Sequence, residues 1–146
     1  MPCHFFPYLW PKYEFYSMKY STKLNDNYVI LQLQEEKLNS MIAPDLKSAL
    51  VMLNAQGKKN VILDLSAVQY ADSSGLSALL RANSMCQGAG GLFVVFGLTE
   101  HVEKLIKITH LDRVFTILPT QQEAIEAVFM HTIESDIEEE GVEGEE

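Results

Sequence analysis

Cysteine is nearly absent. Cys3 and Cys86 are the two in 146 residues, too few for a disulfide framework and without C-x-x-C spacing. No apolar run approaches the roughly 18–20 residues that span a bilayer. The four histidines (4, 101, 110, 131) form no H-E-x-x-H, so no zinc site is indicated. The Gly88-Ala89-Gly90-Gly91 run lacks the Lys-Ser/Thr of a phosphate loop and reads as a helix stop and turn. No G-x-S-x-G elbow exists. A disulfide-stapled secreted miniprotein, a membrane-spanning protein and a zinc finger are thereby excluded, and nothing argues for catalysis or a cofactor. A single-domain protein of the cytoplasm is the expectation, since chains of this length usually form one domain.

Positive charge is also short. Eleven Lys and Arg face 20 Asp and Glu, a net charge of −9. Eight of those acids lie in residues 134–146, which hold no Lys or Arg, so the body carries twelve acids against eleven bases. A nearly neutral body offers no clustered cations for nucleic acid. The 134–146 segment is too charged and too poor in apolar residues to pack, and reads as a disordered acidic tail. Residues 1–17 are foreign in another way, with seven of the 14 aromatics and three of the five prolines. Those prolines break any helix, and no signal-peptide pattern follows. Two readings stay open for this extension: an arm that docks on the domain or a partner, and a non-native leader. The folded domain is expected over residues 18–133.

Within it, strands and helices alternate. Residues 19–24 and 28–34 flank Asn25-Asp26-Asn27, an antiparallel hairpin. Over 42–55, Ile42, Leu46, Ala49, Leu50 and Leu53 form one face of an amphipathic helix, with Pro44 in its first turn and Gly57 beyond its end. Residues 60–65 are a continuous apolar run of the kind found in buried parallel strands. A helix over 73–87 carries Leu76, Leu79, Leu80 and Asn83 on one stripe, with Gly88 as its stop. Residues 92–97 are another buried strand. Thr99 is placed to cap a helix over 100–108 with Val102, Leu105, Ile106 and Thr109 inward. A strand over 114–118 follows, and Thr120, with Glu123 at capping-box spacing, opens a helix ending near Ile133. Met52 and Met85 read as core filler, and Cys86 as a buried small hydrophobe. The fold class is α/β: a mixed, mostly parallel sheet of about five strands with an N-terminal antiparallel hairpin and helices packed on it.

Chemistry in open α/β sheets concentrates at the carboxyl ends of strands, where helices begin. There the sequence places Asp72, Ser73, Ser74 and Gly75. A phosphate on either serine would meet unpaired helix N–H groups and the positive dipole end. It would also add roughly 1.5–2 negative charges beside Asp72 and change any docking surface there. Gly75 keeps the backbone bare for a close approach. Asp72 and Ser73 acting simply as helix caps is equally consistent with the spacing.

The stretch LDLSAVQYADSSGLSALL (63–80) resembles the central motif of STAS domains, and most closely the bacterial anti-sigma-factor antagonists. Residues 18 to about 133 follow that family's element order, including GGLFVVFGLTEHVEKLIKITHLDRVFTIL (90–118) for the later strands. The resemblance implies that Ser74, the second serine of the motif, is phosphorylated by an anti-sigma factor of the histidine-kinase-like ATPase type. A PP2C-type phosphatase would remove the phosphate. It also implies that the unphosphorylated protein binds the anti-sigma factor and frees the sigma factor. The implied docking residues are Asn39, Asp72, Ser73, Ser74, Gly75, Ser77 and Arg81, with the 36–41 loop and the loop after Gly97. Asn39 stands where the family often has aspartate. Other STAS proteins are constitutive accessory subunits of transport or stress complexes, the alternative reading; a small hydrolase is a third.

Overall fold

The computed structural model describes residues 17–144. Apart from Ser17, the expected N-terminal extension lies outside the described residues.

β1 (Tyr20–Leu24) and β2 (Val29–Leu33) form the hairpin, with Tyr20 opposite Leu33 and Leu24 opposite Val29. Two two-residue strands, β3 (Lys37–Leu38) and β5 (Tyr70–Ala71), pair in parallel apart from the main sheet. Between them come α1 (Ala43–Ala55) and β4 (Val61–Asp64). After β5 follow α2 (Ser73–Gly88), β6 (Phe93–Phe96), α3 (Glu100–Ile108), a 3-10 turn at Leu111–Arg113, β7 (Thr116–Leu118) and α4 (Gln121–Gly144). The main sheet runs β1-β2-β4-β6-β7, antiparallel at β1–β2 and parallel elsewhere. This is the α/β fold anticipated, with five strands in the sheet.

Strand alternation divides the core in two. Leu31, Leu63, Phe93 and Val95 face the layer that holds α1, α2 and α3, where Leu46, Leu50, Leu79 and Ile106 are buried. Ile30, Ile62, Val94 and Phe96 point the other way, against Ala124 and Val128 of α4. Covered on both faces, β4 and β6 are apolar at nearly every position, as parallel central strands must be. The short strands β3 and β5 were not anticipated. Two residues carry no readable period, and only the tertiary pairing of Leu38 with Ala71 defines them.

Several local expectations need correcting. Leu80 is 38% exposed and Met52 is 59% exposed. Both point away from the sheet, where Ala78, Ala82 and Cys86 fill the space on α2 instead. Thr99 sits at the N-cap of α3 but makes no capping bond; its hydroxyl donates 2.7 Å to the Val68 carbonyl, tying α3 to the β4–β5 loop. Thr109, expected inward, is exposed, and its hydroxyl donates to the Leu105 and Ile106 carbonyls. Thr120 does accept a bond from the Glu123 N–H.

The largest difference is at the end of α4. The expected disordered tail from 134 is helical to Gly144. Glutamate is a good helix former and no proline intervenes, so local propensity continues the helix without packing: Ile133 and Ile137 are 50% and 60% exposed.

Candidate functional site

α2 begins where β5 ends, and the first turn is fixed by its cap. Asp72 is extended at the N-cap (φ −120°, ψ −173°), and its Oδ1 accepts a 3.1 Å bond from the Gly75 N–H. The Asp72 N–H in turn donates to the Leu38 carbonyl, joining the start of α2 to β3. Asp72 is therefore a cap. Ser73 is exposed and Ser74 half-buried at the first two helical positions.

Gly75 has a different task from the one its position suggested. It is buried, and a Cβ there would collide with the Leu38 carbonyl oxygen and lie 2.7 Å from Leu38 Cγ. The close approach that its bare backbone permits is that of Leu38 from the same chain. Its bare backbone serves the chain's own packing, which places the serines beside β3.

Asn39 follows Leu38 and is half-buried. Its Oδ1 accepts 3.0 Å from the Met41 N–H, while its carbonyl accepts from the N–H groups of Ile42 and Ala43. It closes the turn that launches α1, a hydrogen-bonding role that needs an amide or carboxylate oxygen of this length.

The β3–β5 pairing therefore brings the 36–41 loop to the start of α2, where Ser40 shares a cleft with Ser73 and Ser74, while Asn39 lines a separate one with Lys19, Glu35 and Met41. An open cleft of about 370 Å³ lies between the two helices there, lined by Ser40, Ala43, Pro44, Lys47, Ser73, Ser74 and Ser77. Ser77 and Arg81 are exposed on the next two turns of α2. Arg81 lies outside that cleft, in a neighbouring one of about 410 Å³ that also includes Lys47 and Ser77.

Ser40 falls within the 36–41 loop that the sequence reading named, whereas Ala43, Pro44 and Lys47 of α1 escaped it as lining residues. Lys47 sits one turn after Ala43 on α1, so a helical wheel combined with the knowledge that α1 packs on α2 would have found it; the second fact is tertiary. The loop after Gly97 lies beyond β6, where Gly97 adopts φ +73° and a Cβ would crowd Ser66 Cβ at 3.2 Å and Asp64 Oδ1 at 3.3 Å. Nearby, Tyr70 and His101 stack with centroids 5.5 Å apart.

Cys86 is buried and free. Burial raises its thiol pKa to about 11, partly offset by a backbone hydrogen bond at Val61, so it stays protonated and inert near neutral pH. Among the described residues no group of His, Cys, Asp and Glu is assembled to hold a metal ion, and no helix is long and apolar enough to cross a membrane.

Comparison with known proteins places this geometry in context. A family model for the STAS domain matches residues 19–124. A putative anti-sigma factor antagonist homolog of Thermotoga neapolitana is 34% identical over 73 residues, half of this chain and 65% of that protein. The chain thus spans just under two thirds of that relative's length. An anti-sigma-B factor antagonist of Listeria monocytogenes is 31% identical over 83 residues, 56% of this chain and 71% of that protein. The crystal structure of a putative anti-sigma factor antagonist from Thermotoga maritima superposes with a TM-score of 0.67 at 30% identity, covering 75% of this chain and 93% of that one.

Proposed function

From the premise that the chain belongs to the STAS domain family, we propose that it is an anti-sigma-factor antagonist switched by phosphorylation of Ser74. The unphosphorylated protein docks on an anti-sigma factor through the start of α2 and the 36–41 loop, and the sigma factor is released. A kinase partner of the histidine-kinase-like ATPase type adds the phosphate, and a PP2C-type phosphatase removes it. Such a protein acts as a binding switch in the cytoplasm and performs no catalysis of its own.

The observation that carries this reading is the placement of Ser74. It is half-buried at the mouth of a cleft, on a helix N-terminus, with no carboxylate in the cleft lining. The helix amides and dipole tolerate a phosphate there, so the domain stays folded. The added charge of roughly −1.5 to −2 changes the surface a partner must meet.

The test is affinity capture from lysate of the source cells, comparing wild type, Ser74→Ala and Ser74→Glu. Retention of an ATPase-type anti-sigma factor by wild type and Ser74→Ala, with its loss from Ser74→Glu, is the expected result. An identical partner set on all three would overturn the switch.

One observation favours a second reading, a constitutive scaffold or accessory subunit. Where the family motif often has aspartate, Asn39 spends its side chain on the turn before α1 and brings no charge to Ser74. In that case Ser74 is a helix-start residue, and Ser74→Glu leaves binding unchanged.

A further inference from the structure

The outer surface where α1 meets α2 has a charge pattern opposite to that of the whole chain. Lys47 and Arg81 stand along it, and Lys47 and Ser77 are shared by two adjoining clefts that together run from Ser73 to Ser84. No acidic residue lines either cleft. α2 contains no Asp or Glu at all, and the one acid of α1, Asp45, accepts a bond from the Met18 N–H. The ion pairs among the described residues, Lys104–Glu100 and Lys107–Glu103, are both on α3. Two cations thus stand in this groove with no acidic neighbour in its walls, on a protein of net charge −9.

The same groove exposes one large apolar side chain from each helix. Val51, one turn beyond Lys47, is 52% exposed, and Leu80, beside Arg81, is 38% exposed. Both belong to the lining of the Arg81 cleft. An apolar pair bordered by cations is the complement of an amphipathic helix with acidic flanks.

We propose that the α1–α2 groove receives an acidic amphipathic helix of the protein partner. The helix lays its apolar face on Val51 and Leu80 and its carboxylates on Lys47 and Arg81. Resting on the switch reading above, this supplies its physical cause: Ser74 opens into the same groove through Ser77 and Lys47, so a phosphate there repels the incoming carboxylates and draws Lys47 away from them.

The test uses the full chain and two synthetic helix-forming peptides of equal length, one built of Leu and Glu and the other of Leu and Lys, titrated by 1H–15N NMR. The Leu/Glu peptide is expected to shift the amides of Lys47, Val51, Ser77 and Arg81, and the Leu/Lys peptide to leave them in place. Charge reversal in Lys47→Glu/Arg81→Glu should weaken binding by about fivefold or more, and so should 0.5 M salt, the scale of two exposed ion pairs. Should that variant fail to fold by circular dichroism, Lys47→Gln/Arg81→Gln takes its place with the same direction of effect.

No shift at millimolar Leu/Glu peptide, an equal response to both peptides, or shifts centred on α4 would overturn the groove. A Ser74→Glu arm separates the two readings. Weakened peptide binding supports both, whereas unchanged binding by that variant, with the charge-reversal effect intact, keeps the acidic-helix groove and defeats the phosphate switch.

Discussion

Gly75 and Leu38 touch through backbone: the first turn of α2 lies directly on the carbonyl of β3, with no room for a Cβ between them. The Asp72 N–H bond to that same carbonyl, 3.2 Å, locks the register. This contact holds the 36–41 loop beside Ser73 and Ser74. Gly75→Ala should therefore push β3 from α2 and destabilise the fold by about 1–3 kcal/mol, the range for overpacking. Urea unfolding followed by circular dichroism checks it, and a stability equal to wild type would mean that the loop shifts freely.

Asp72 is a cap first, and its charge is a separate matter. Asp72→Ala should cost about 1 kcal/mol through loss of the Gly75 N–H bond, while Asp72→Asn should stay close to wild type because asparagine caps as well. Thermal melts of the two variants make the comparison.

Asn60 joins three segments. Its side-chain N–H donates 2.7 Å to the Asn27 carbonyl, its Oδ1 accepts 2.9 Å from the Leu92 N–H, and its own carbonyl accepts 3.0 Å from the Val29 N–H. At 3% exposure, Asn60→Leu would strand a donor and an acceptor beneath the hairpin turn. A loss of about 2 kcal/mol or more is expected in chemical denaturation, since each buried unpaired group costs about 1–3 kcal/mol.

Cys86 should resist thiol reagents. In a Cys3→Ser background, where it is the sole thiol, its reaction with a disulfide reagent at pH 8 should be at least about 100-fold slower in the native protein than in denaturant. The folded pKa of about 11, against an ordinary 9.0, lowers the thiolate fraction by that factor. The raised pKa also means that the folded state prefers the neutral thiol. Its contribution to stability is complete below pH 9 and declines as the pH climbs towards 11.

Truncation after Ser135 should leave the melting midpoint unchanged or slightly higher. The removed part of α4 adds carboxylates near a helix C-terminus, where the dipole disfavours them, and Ile137 is 60% exposed. A lower midpoint by calorimetry would show that this end of α4 packs on something.

The sheet and its helices were legible because their signals are local and repeated. Ile42, Leu46, Ala49, Leu50 and Leu53 recur on one helical face, and all five are buried. The unbroken apolar runs of β4 and β6 announced strands covered on both sides, and the DSSGL turn marked the start of α2. Errors came where a competing contact took a residue away from its local pattern. Thr99 bonds to Val68 instead of capping α3, and Leu80 belongs to the stripe by period but overhangs its edge. At the C-terminus, charge suggested disorder while helix propensity, which does not require burial, prevailed.

The sequence by itself determined the α/β order of elements, the two apolar faces of the strands and the position of Asp72, Ser73 and Ser74 at a strand-to-helix junction. Each follows from spacing along a single segment. Only the tertiary structure decided that Gly75 serves Leu38, that Ser40 of the 36–41 loop shares a cleft with the serines, and that Lys47 and Arg81 share a groove with Val51 and Leu80. Those relationships join α1 or the 36–41 loop to α2 across about 30 residues of chain. They arise when both helices bury their faces on the same side of the sheet, an outcome of packing that no local periodicity encodes.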